Sequence, residues 1–316
     1  MIRIVFTGGT ISMQHDAARG GHVPSLDGAA LLALVPELRS AGALDIIDFA
    51  QLPAAHQTLR WLTALQQCIA QLAADARTTG IVVTHGTDTL EETVYLLART
   101  IAGDVPIVVT GAMRTAADPE WDGARNLADA VRVAADAGAR GRGALALLAG
   151  RILPGLGTCK YDAMALDAFR APHLGDEGAV SDGVIAWHRP PQLRRLLPLD
   201  ARGLHGTVPL VYAITADDGS LIRSVAASVP GLVVAGIGSG NLPPAFADAA
   251  VALAEQGTPV VLASRCVRGE VTPLYGFDGG SAVSVRRGLI PAGPRTAQLA
   301  RMELLIACST GATYGH

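Results

Sequence analysis

Short apolar runs alternate along the chain with longer stretches in which apolar positions recur every three or four residues, and the alternation begins at the second residue. Residues 2–6 (IRIVF), 80–84 (GIVVT), 105–110 (VPIVVT) and 143–149 (GALALLA) predict buried strands. Between and around them, 28–38, 58–75, 89–102 and 124–138 predict helices. Continuously apolar strands between helices are what a parallel sheet covered on both faces requires, because neither side of such a strand meets water. The pattern breaks over 186–206 (AWHRPPQLRRLLPLDARGLHG), which is rich in Pro and Arg. It then resumes with strands predicted at 208–214, 232–236 and 259–263 and helices at 221–228, 243–256 and 295–307.

The expected fold is therefore α/β with two domains. Residues 1–188 form a larger domain with a mostly parallel sheet and helices on both faces, 189–206 a linker, and 207–316 a smaller α/β domain. A chain of 316 residues is long for one core, which agrees with the division. With 50% hydrophobic and 17% charged residues, a largely disordered chain is excluded. The net charge of −3 argues against nucleic-acid or anionic-membrane binding, and 4% aromatics leaves little for base stacking. No apolar run approaches the roughly 18–20 residues of a membrane span. The chain enters a strand at once, without the apolar segment of a signal peptide. Cys68, Cys159, Cys266 and Cys308 lie far apart, in no CxxC pair and with no zinc-site spacing. The expectation is a cytoplasmic protein with reduced thiols and no metal, or a periplasmic one if a leader has been removed.

Open parallel sheets present ligands at the carboxyl ends of their strands, and four polar clusters fall there. The first is Thr7-Gly8-Gly9-Thr10-Ile11. Its glycines let backbone N–H groups approach a ligand, and Thr10 projects beyond them. A phosphate cradle fits, although the GxGxxG spacing and the Walker lysine are absent. A nucleophile beside an amide-lined oxyanion pocket fits as well, and so does a tight turn whose Thr satisfies local backbone. The second is Thr84-His85-Gly86-Thr87-Asp88-Thr89, where Thr89 and Glu92 match a capping box, His85 reads as a hydrogen-bonded support, and Thr87 and Asp88 remain for chemistry. The third is Gly111-Ala112-Met113-Arg114, with Asp122 and Asn126 as loop-fixing residues and Arg114 paired to a nearby acid. The fourth is Thr158-Cys159-Lys160-Tyr161-Asp162.

Lys160 stands out by composition: the other 24 of the 25 basic residues are Arg. Arg stays protonated, whereas a desolvated Lys can exchange its proton. Thr10 and Thr87 with Asp88 and Lys160 point to hydroxyl chemistry, since a Thr hydroxyl needs a neighbouring base to attack. Hydrolysis or acyl transfer without metal, nucleotide or flavin fits best.

TGGTI at 7–11, HGTDT at 85–89, GAMR at 111–114 with DGxxN at 122–126, Lys160, and GxGSGN at 236–241 resemble the bacterial L-asparaginase/glutaminase family, over residues 2 to about 305. The resemblance implies a two-domain α/β fold, a homotetramer built from dimers, and cofactor-free hydrolysis of the side-chain amide of asparagine, and variably glutamine, releasing ammonia. It matches Thr10 to the nucleophile that forms an acyl-enzyme. It matches Thr87, Lys160 and Asp88 to a second catalytic set, with Asp88 also meeting the substrate's α-amino group. Backbone at Gly9, Gly86, Thr87 and Ala112 would line the pocket, and Asn241 would reach into the neighbouring subunit's site.

The chain also departs from the family pattern. Residues 12–50 contain no Tyr, where the family's mobile loop offers one, and His22 stands in that loop. The Ser that binds the substrate α-carboxylate is replaced by Ala54, with His56 and Gln57 beside it. The acid that the small domain supplies to a neighbour has Glu270 as its nearest counterpart. Two other functions fit the same residues: an ammonia-supplying subunit of a tRNA-dependent amidotransferase, and a catalytically weak binder of aspartate-like ligands.

Overall fold

The computed structural model describes residues 1–40, 42–225 and 228–315. They form two units that part between Pro198 and Leu199. In the first, the chain runs β1 (Ile2–Gly8), β2 (Met13–Asp16), β3 (Gly21–Pro24), α1 (Gly28–Ala33), β4 (Leu44–Leu52), α2 (Leu59–Ala74), β5 (Gly80–Thr84), α3 (Leu90–Thr100), β6 (Ile107–Thr110), α4 (Gly123–Ala135), β7 (Ala144–Leu148), β8 (Arg151–Pro154), β9 (Cys159–Lys160), β10 (Phe169–Arg170), β11 (Gly178–Ser181) and β12 (Val184–Trp187).

Eight of these strands form one sheet in the order β12-β11-β8-β7-β6-β5-β1-β4. From β4 to β7 all neighbours are parallel, and from β7 to β12 they are antiparallel. The parallel strands bury both faces. Ile4, Phe6, Val82 and Val108 join Leu31, Leu127 and Val131 of α1 and α4 on one side. Val5, Ile81, Val83 and Val109 join Leu65, Ile69, Val94 and Leu97 of α2 and α3 on the other. Each such side chain contributes roughly 1.5–3 kcal/mol on burial. The one charge within these runs, Arg3 of β1, is buried against Asp45 and Asp75.

Differences from the predicted elements have local causes. The helix predicted over 28–38 stops at Ala33, because Pro36 lacks an amide proton and forces the residue before it out of helical conformation. A short 3-10 turn follows at Pro36–Ser40. Strand β4 was not predicted: its Asp45 and Asp48 interrupt the apolar pattern, one facing Arg3 and the other accepting from the Gly28 N–H that opens α1. β12 extends into the Pro/Arg-rich stretch, and the irregular residues after it are fastened to the first unit. Arg189 bonds Glu177, Arg194 donates to the Ala98 carbonyl at 3.0 Å, and the Leu197 N–H donates to the Arg99 carbonyl at 2.9 Å.

The second unit holds a four-stranded parallel sheet of β13 (Leu210–Tyr212), β14 (Leu232–Gly236), β15 (Val260–Ser264) and β16 (Ile290–Pro291). Helices α5 (Ser220–Val225), α6 (Pro244–Glu255), α7 (Ser281–Arg286) and α8 (Ala297–Thr310) accompany it. Of the helix predicted over 221–228, Ala226 and Ala227 lie outside the described residues. Among the described residues no helix is long and apolar enough to cross a membrane.

The order β5-β1-β4 sends the chain from β1 to one side and from β5 to the other. The carboxyl ends of β1 and β5 therefore flank the point where an open α/β sheet opens a crevice.

Candidate active site

The loops leaving β1 and β5 are pressed together. Gly9 has φ +82°, and a β-carbon there would overlap N and Cα of Gly86. Gly86 in turn leaves 2.8 Å between its own added β-carbon and Cβ of Ala54, and Gly111 stands against the His85 carbonyl and the Thr87 methyl. Three predicted polar clusters, together with Ala54, thus meet at one place. Ala54 begins a short 3-10 turn and is 5% exposed, and Ala112 is fully buried.

The threonines around this point divide into two groups. Thr7 donates its hydroxyl to the Thr84 carbonyl at 2.7 Å, and Ser12 donates to the Gly9 carbonyl at 3.0 Å. These bonds carry the turn that was one of the readings of the first motif. Thr10, half-buried at the start of a 3-10 turn, has no hydrogen-bond partner for its hydroxyl among the described residues. Thr87 is buried, and its Oγ1 accepts from the Lys160 ammonium at 3.0 Å. The same ammonium donates to Asp88 Oδ1 at 2.8 Å. Lys160 Nζ is mostly shielded, its side chain 16% exposed, while the Asp88 carboxylate is 71% exposed. A buried hydroxyl, a shielded amine and an open carboxylate therefore sit within one hydrogen-bonded set.

His85 is the predicted support. Its Nδ1 lies 2.7 Å from the Gly86 carbonyl, which can only accept, so the ring proton is on Nδ1. Nε2 then takes donors from Gln57 Nε2 at 3.0 Å and Thr93 Oγ1 at 2.9 Å. Burial pushes its pKa down to about 4, so the ring is neutral near pH 7 and fixes the Gly86 peptide.

The capping box predicted for Thr89 and Glu92 does not form in that way. Thr89 is the N-cap of α3 but makes no side-chain cap bond; its hydroxyl donates to Gln57 Oε1 at 2.9 Å. Gln57, a candidate to replace the missing Ser, thus has both ends of its amide engaged, and His56 is exposed.

Asp122 accepts from the N–H groups of Met113 and Arg114, and Asn126 bridges the Gly111 carbonyl to the Ala149 N–H. Both fix the loop, as their positions predicted. Arg114 meets the acid through its backbone; its guanidinium makes no ion pair among the described residues, and its Nε is buried without a partner. His22 lies on β3 opposite His15, the two rings edge to face at 5.6 Å. In the second unit Asn241 forms an isolated bridge with Ile237, and its Oδ1 accepts from the Ser281 N–H at 3.2 Å.

One residue escaped the sequence entirely. Glu91, in the first turn of α3, is buried, and its Oε2 accepts the backbone N–H of Lys160 at 2.7 Å. Burial first of all lifts its pKa to about 7. The available signal was an acid in the first turn of a helix that carries the apolar run Val94–Ala98. Among the described residues no three His, Cys, Asp or Glu side chains gather as a metal-ligand set.

Two family models match the chain in succession. Residues 1–193 match the asparaginase N-terminal domain and residues 207–314 the glutaminase/asparaginase C-terminal domain. The chain belongs to the asparaginase family. A probable L-asparaginase of Deinococcus radiodurans is 35% identical over 99% of this chain and 94% of its own length. L-asparaginase 2 of Escherichia coli is 31% identical over 97% of this chain and 88% of its own. The crystal structure of a probable cytoplasmic L-asparaginase from Campylobacter jejuni aligns with a TM-score of 0.86 at 30% identity, covering 97% of this chain and 94% of that one. The asparaginase fold is thus present from end to end, in two α/β units with a mostly parallel sheet in the first.

Proposed function

We propose that this asparaginase-family chain hydrolyses the side-chain amide of L-asparagine, or of a related small amide such as glutamine, to the acid and ammonia. The observation that carries the proposal is the Lys160 ammonium on the hydroxyl of Thr87 and the carboxylate of Asp88, beside a loop whose Thr10 hydroxyl is uncommitted. Thr10 Oγ attacks the amide carbon and its proton passes to the departing nitrogen, so that ammonia leaves and an ester to Thr10 remains. Backbone at Gly9, Thr87 and Ala112 lines the pocket. The Gly9 N–H is spent on the Leu52 carbonyl at 3.1 Å, so the N–H groups of Thr87 and Ala112 are assigned to the oxygen on which charge develops. Water then adds to the ester. The water proton passes to the Thr87 oxygen as Thr87, held by the Lys160 ammonium, relays a proton on to Thr10 Oγ, which leaves as the alcohol. Asp88 holds Lys160 and meets the substrate ammonium. Amide plus water gives acid plus ammonia, and the Ala54 position leaves recognition of the α-carboxylate to other groups.

Asn241 is assigned to a neighbouring subunit's site, in a homotetramer made of two dimers. Four free thiols, and the solved Campylobacter jejuni relative, itself named a probable cytoplasmic L-asparaginase, favour the cytoplasm.

The test is ammonia release from asparagine, glutamine, their D-isomers and substituted amides, by the wild type and by Thr10→Ala. Release by the wild type and its loss in the variant is the expected result. A wild type that binds aspartate yet releases no ammonia from any of them is a binder, and the proposal falls. Activity that falls on dilution, with a raised KM in Asn241→Ala, is expected of shared sites; a fully active monomer contradicts sharing.

A further inference from the structure

We infer that Glu91 is a positioning residue for Lys160: its carboxylate grips the Lys160 peptide so that the ammonium at the other end reaches Thr87 and Asp88. The inference rests on the amidohydrolase function proposed above, and concerns a group outside the set assigned to it.

Lys160 sits on a strand of only two residues, Cys159–Lys160, paired with Phe169–Arg170. So short a ladder fixes position poorly. A lysine side chain adds up to ~1.5–2 kcal/mol of rotamer freedom that a defined Nζ position must overcome. The backbone N–H of Lys160 goes to Glu91 Oε2 at 2.7 Å, and Nζ goes to Thr87 and Asp88 at 3.0 and 2.8 Å. All three partners lie within five consecutive residues at the start of α3. The turn leading into α3 and the first turn of α3 together hold Lys160 by its ammonium and its peptide, so β9 cannot shift without breaking one grip or the other.

Burying a carboxylate merely to receive one N–H is costly unless the bond is strong, and an ionised acceptor gives the stronger bond. The groups that face Glu91 are Glu92 on its own helix and Lys160 and Cys159 on β9. Arg170 on β10 acts on Cys159 in turn. The Cys159 thiol is pushed up to about 12, chiefly by burial and then by the Glu91 charge, and stays protonated. Glu91 itself, lifted to about 7, changes charge near neutral pH. Above that point the carboxylate grips the peptide fully; below it the neutral acid grips it less. Turnover accordingly rises with pH through the Glu91 titration.

The experiment measures kcat and KM for ammonia release from about pH 5 to about pH 9 for the wild type, Glu91→Gln and Glu91→Ala. In Glu91→Gln the amide oxygen still accepts the N–H, so the protein folds, but the limb near neutrality disappears from kcat. Glu91→Ala lowers kcat on the order of 10- to 10²-fold with KM changed by less than about two-fold, because placement rather than binding is lost. A limb near neutrality retained in Glu91→Gln, or a wild-type kcat in Glu91→Ala, overturns the inference. Should Glu91→Ala fail to fold, difference infrared spectroscopy of the wild type decides. A buried carboxyl band that disappears in step with rising kcat supports the inference, and one that does not overturns it. Absence of ammonia release from the wild type strikes the amidohydrolase function itself, whereas the outcomes above are read only on an active wild type.

Discussion

Gly9 runs against Gly86 with no space for a β-carbon between them. The two glycines belong to loops leaving adjacent parallel strands, and each is followed directly by a threonine, Thr10 on one side and Thr87 on the other. The contact fixes the backbone from which both threonines project, so the placement of their Cα atoms does not depend on flexible side chains. Thr7, bonded to the Thr84 carbonyl, ties the strand ends together just beneath.

Gly9→Ala should abolish this arrangement. At φ +82° and ψ −177°, backbone essentially confined to glycine, a residue with a β-carbon costs roughly 1–3 kcal/mol in strain, and the overlap with Gly86 forces the loops apart. A displacement of an ångström at the reacting groups costs on the order of 10²-fold in kcat/KM. Gly103→Ala is the control, because Gly103 also has positive φ, +98°, yet nothing lies within 4 Å of its added β-carbon. Ammonia release and thermal melting of both variants check this: Gly103→Ala, with strain but no overlap, should lose less Tm than Gly9→Ala and keep its activity, and only Gly9→Ala should lose activity.

Lys160→Arg keeps the positive charge and removes the ability to become a neutral amine. If Lys160 relays the proton of Thr87, the variant loses on the order of 10²-fold or more in turnover, while Asp88 still has a cation to hold. Steady-state kinetics on asparagine measure it. Retained turnover reduces Lys160 to a positional role.

Legibility in the sequence followed the kind of interaction. The parallel strands were legible because Ile4 and Val5, or Val82 and Val83, face opposite cores and leave a solid apolar run. Strand β4 was not, since Asp45 and Asp48 serve Arg3 and the start of α1, partners distant in the chain. The same division holds at the site. Thr10, Thr87 and Asp88 are found because strand ends announce them, and Lys160 because it is alone among arginines. Glu91 reads as the first turn of a helix, and Gln57 as a candidate for the missing Ser rather than as the partner of Thr89 and His85. Only the folded chain sets Glu91 under β9 and threads Gln57 between Thr89 and His85.

Two buried groups in this region pull the pH dependence of stability in opposite directions. His85 falls from 6.5 to about 4 on folding, so between those values the unfolded chain binds a proton that the native one does not. Stability then rises with pH across that window. Glu91 rises from 4.5 to about 7, so the native chain keeps a proton the unfolded one has released, and stability falls as pH rises between 4.5 and 7. The two slopes offset each other over their shared range. Glu91→Gln removes the falling component, and its urea midpoint should climb from pH 4.5 to 6.5 more steeply than that of the wild type. Parallel profiles for the two proteins would show that one of these groups is not perturbed as described.

Glu177 supports the first unit where the irregular stretch after β12 is fastened. Its carboxylate takes Arg142 at 2.5 Å and Arg189 at 2.7 Å, and the Arg142 guanidinium also lies 4.1 Å over the Trp187 ring. The Arg142 and Glu177 side chains are 3% and 9% exposed, whereas Arg189 is 24% exposed. Glu177→Ala leaves a buried guanidinium without a counter-charge, which costs about 3–5 kcal/mol. Arg189→Ala removes a more exposed partner and leaves the buried pair intact, so its loss is nearer the ~1 kcal/mol of a surface pair. Equilibrium urea unfolding separates the two values. Neither residue touches the crevice, so kcat and KM of the folded fraction should match the wild type in both. Equal destabilisation by the two substitutions would mean that the Arg142–Glu177 pair is solvated in solution and carries no special weight.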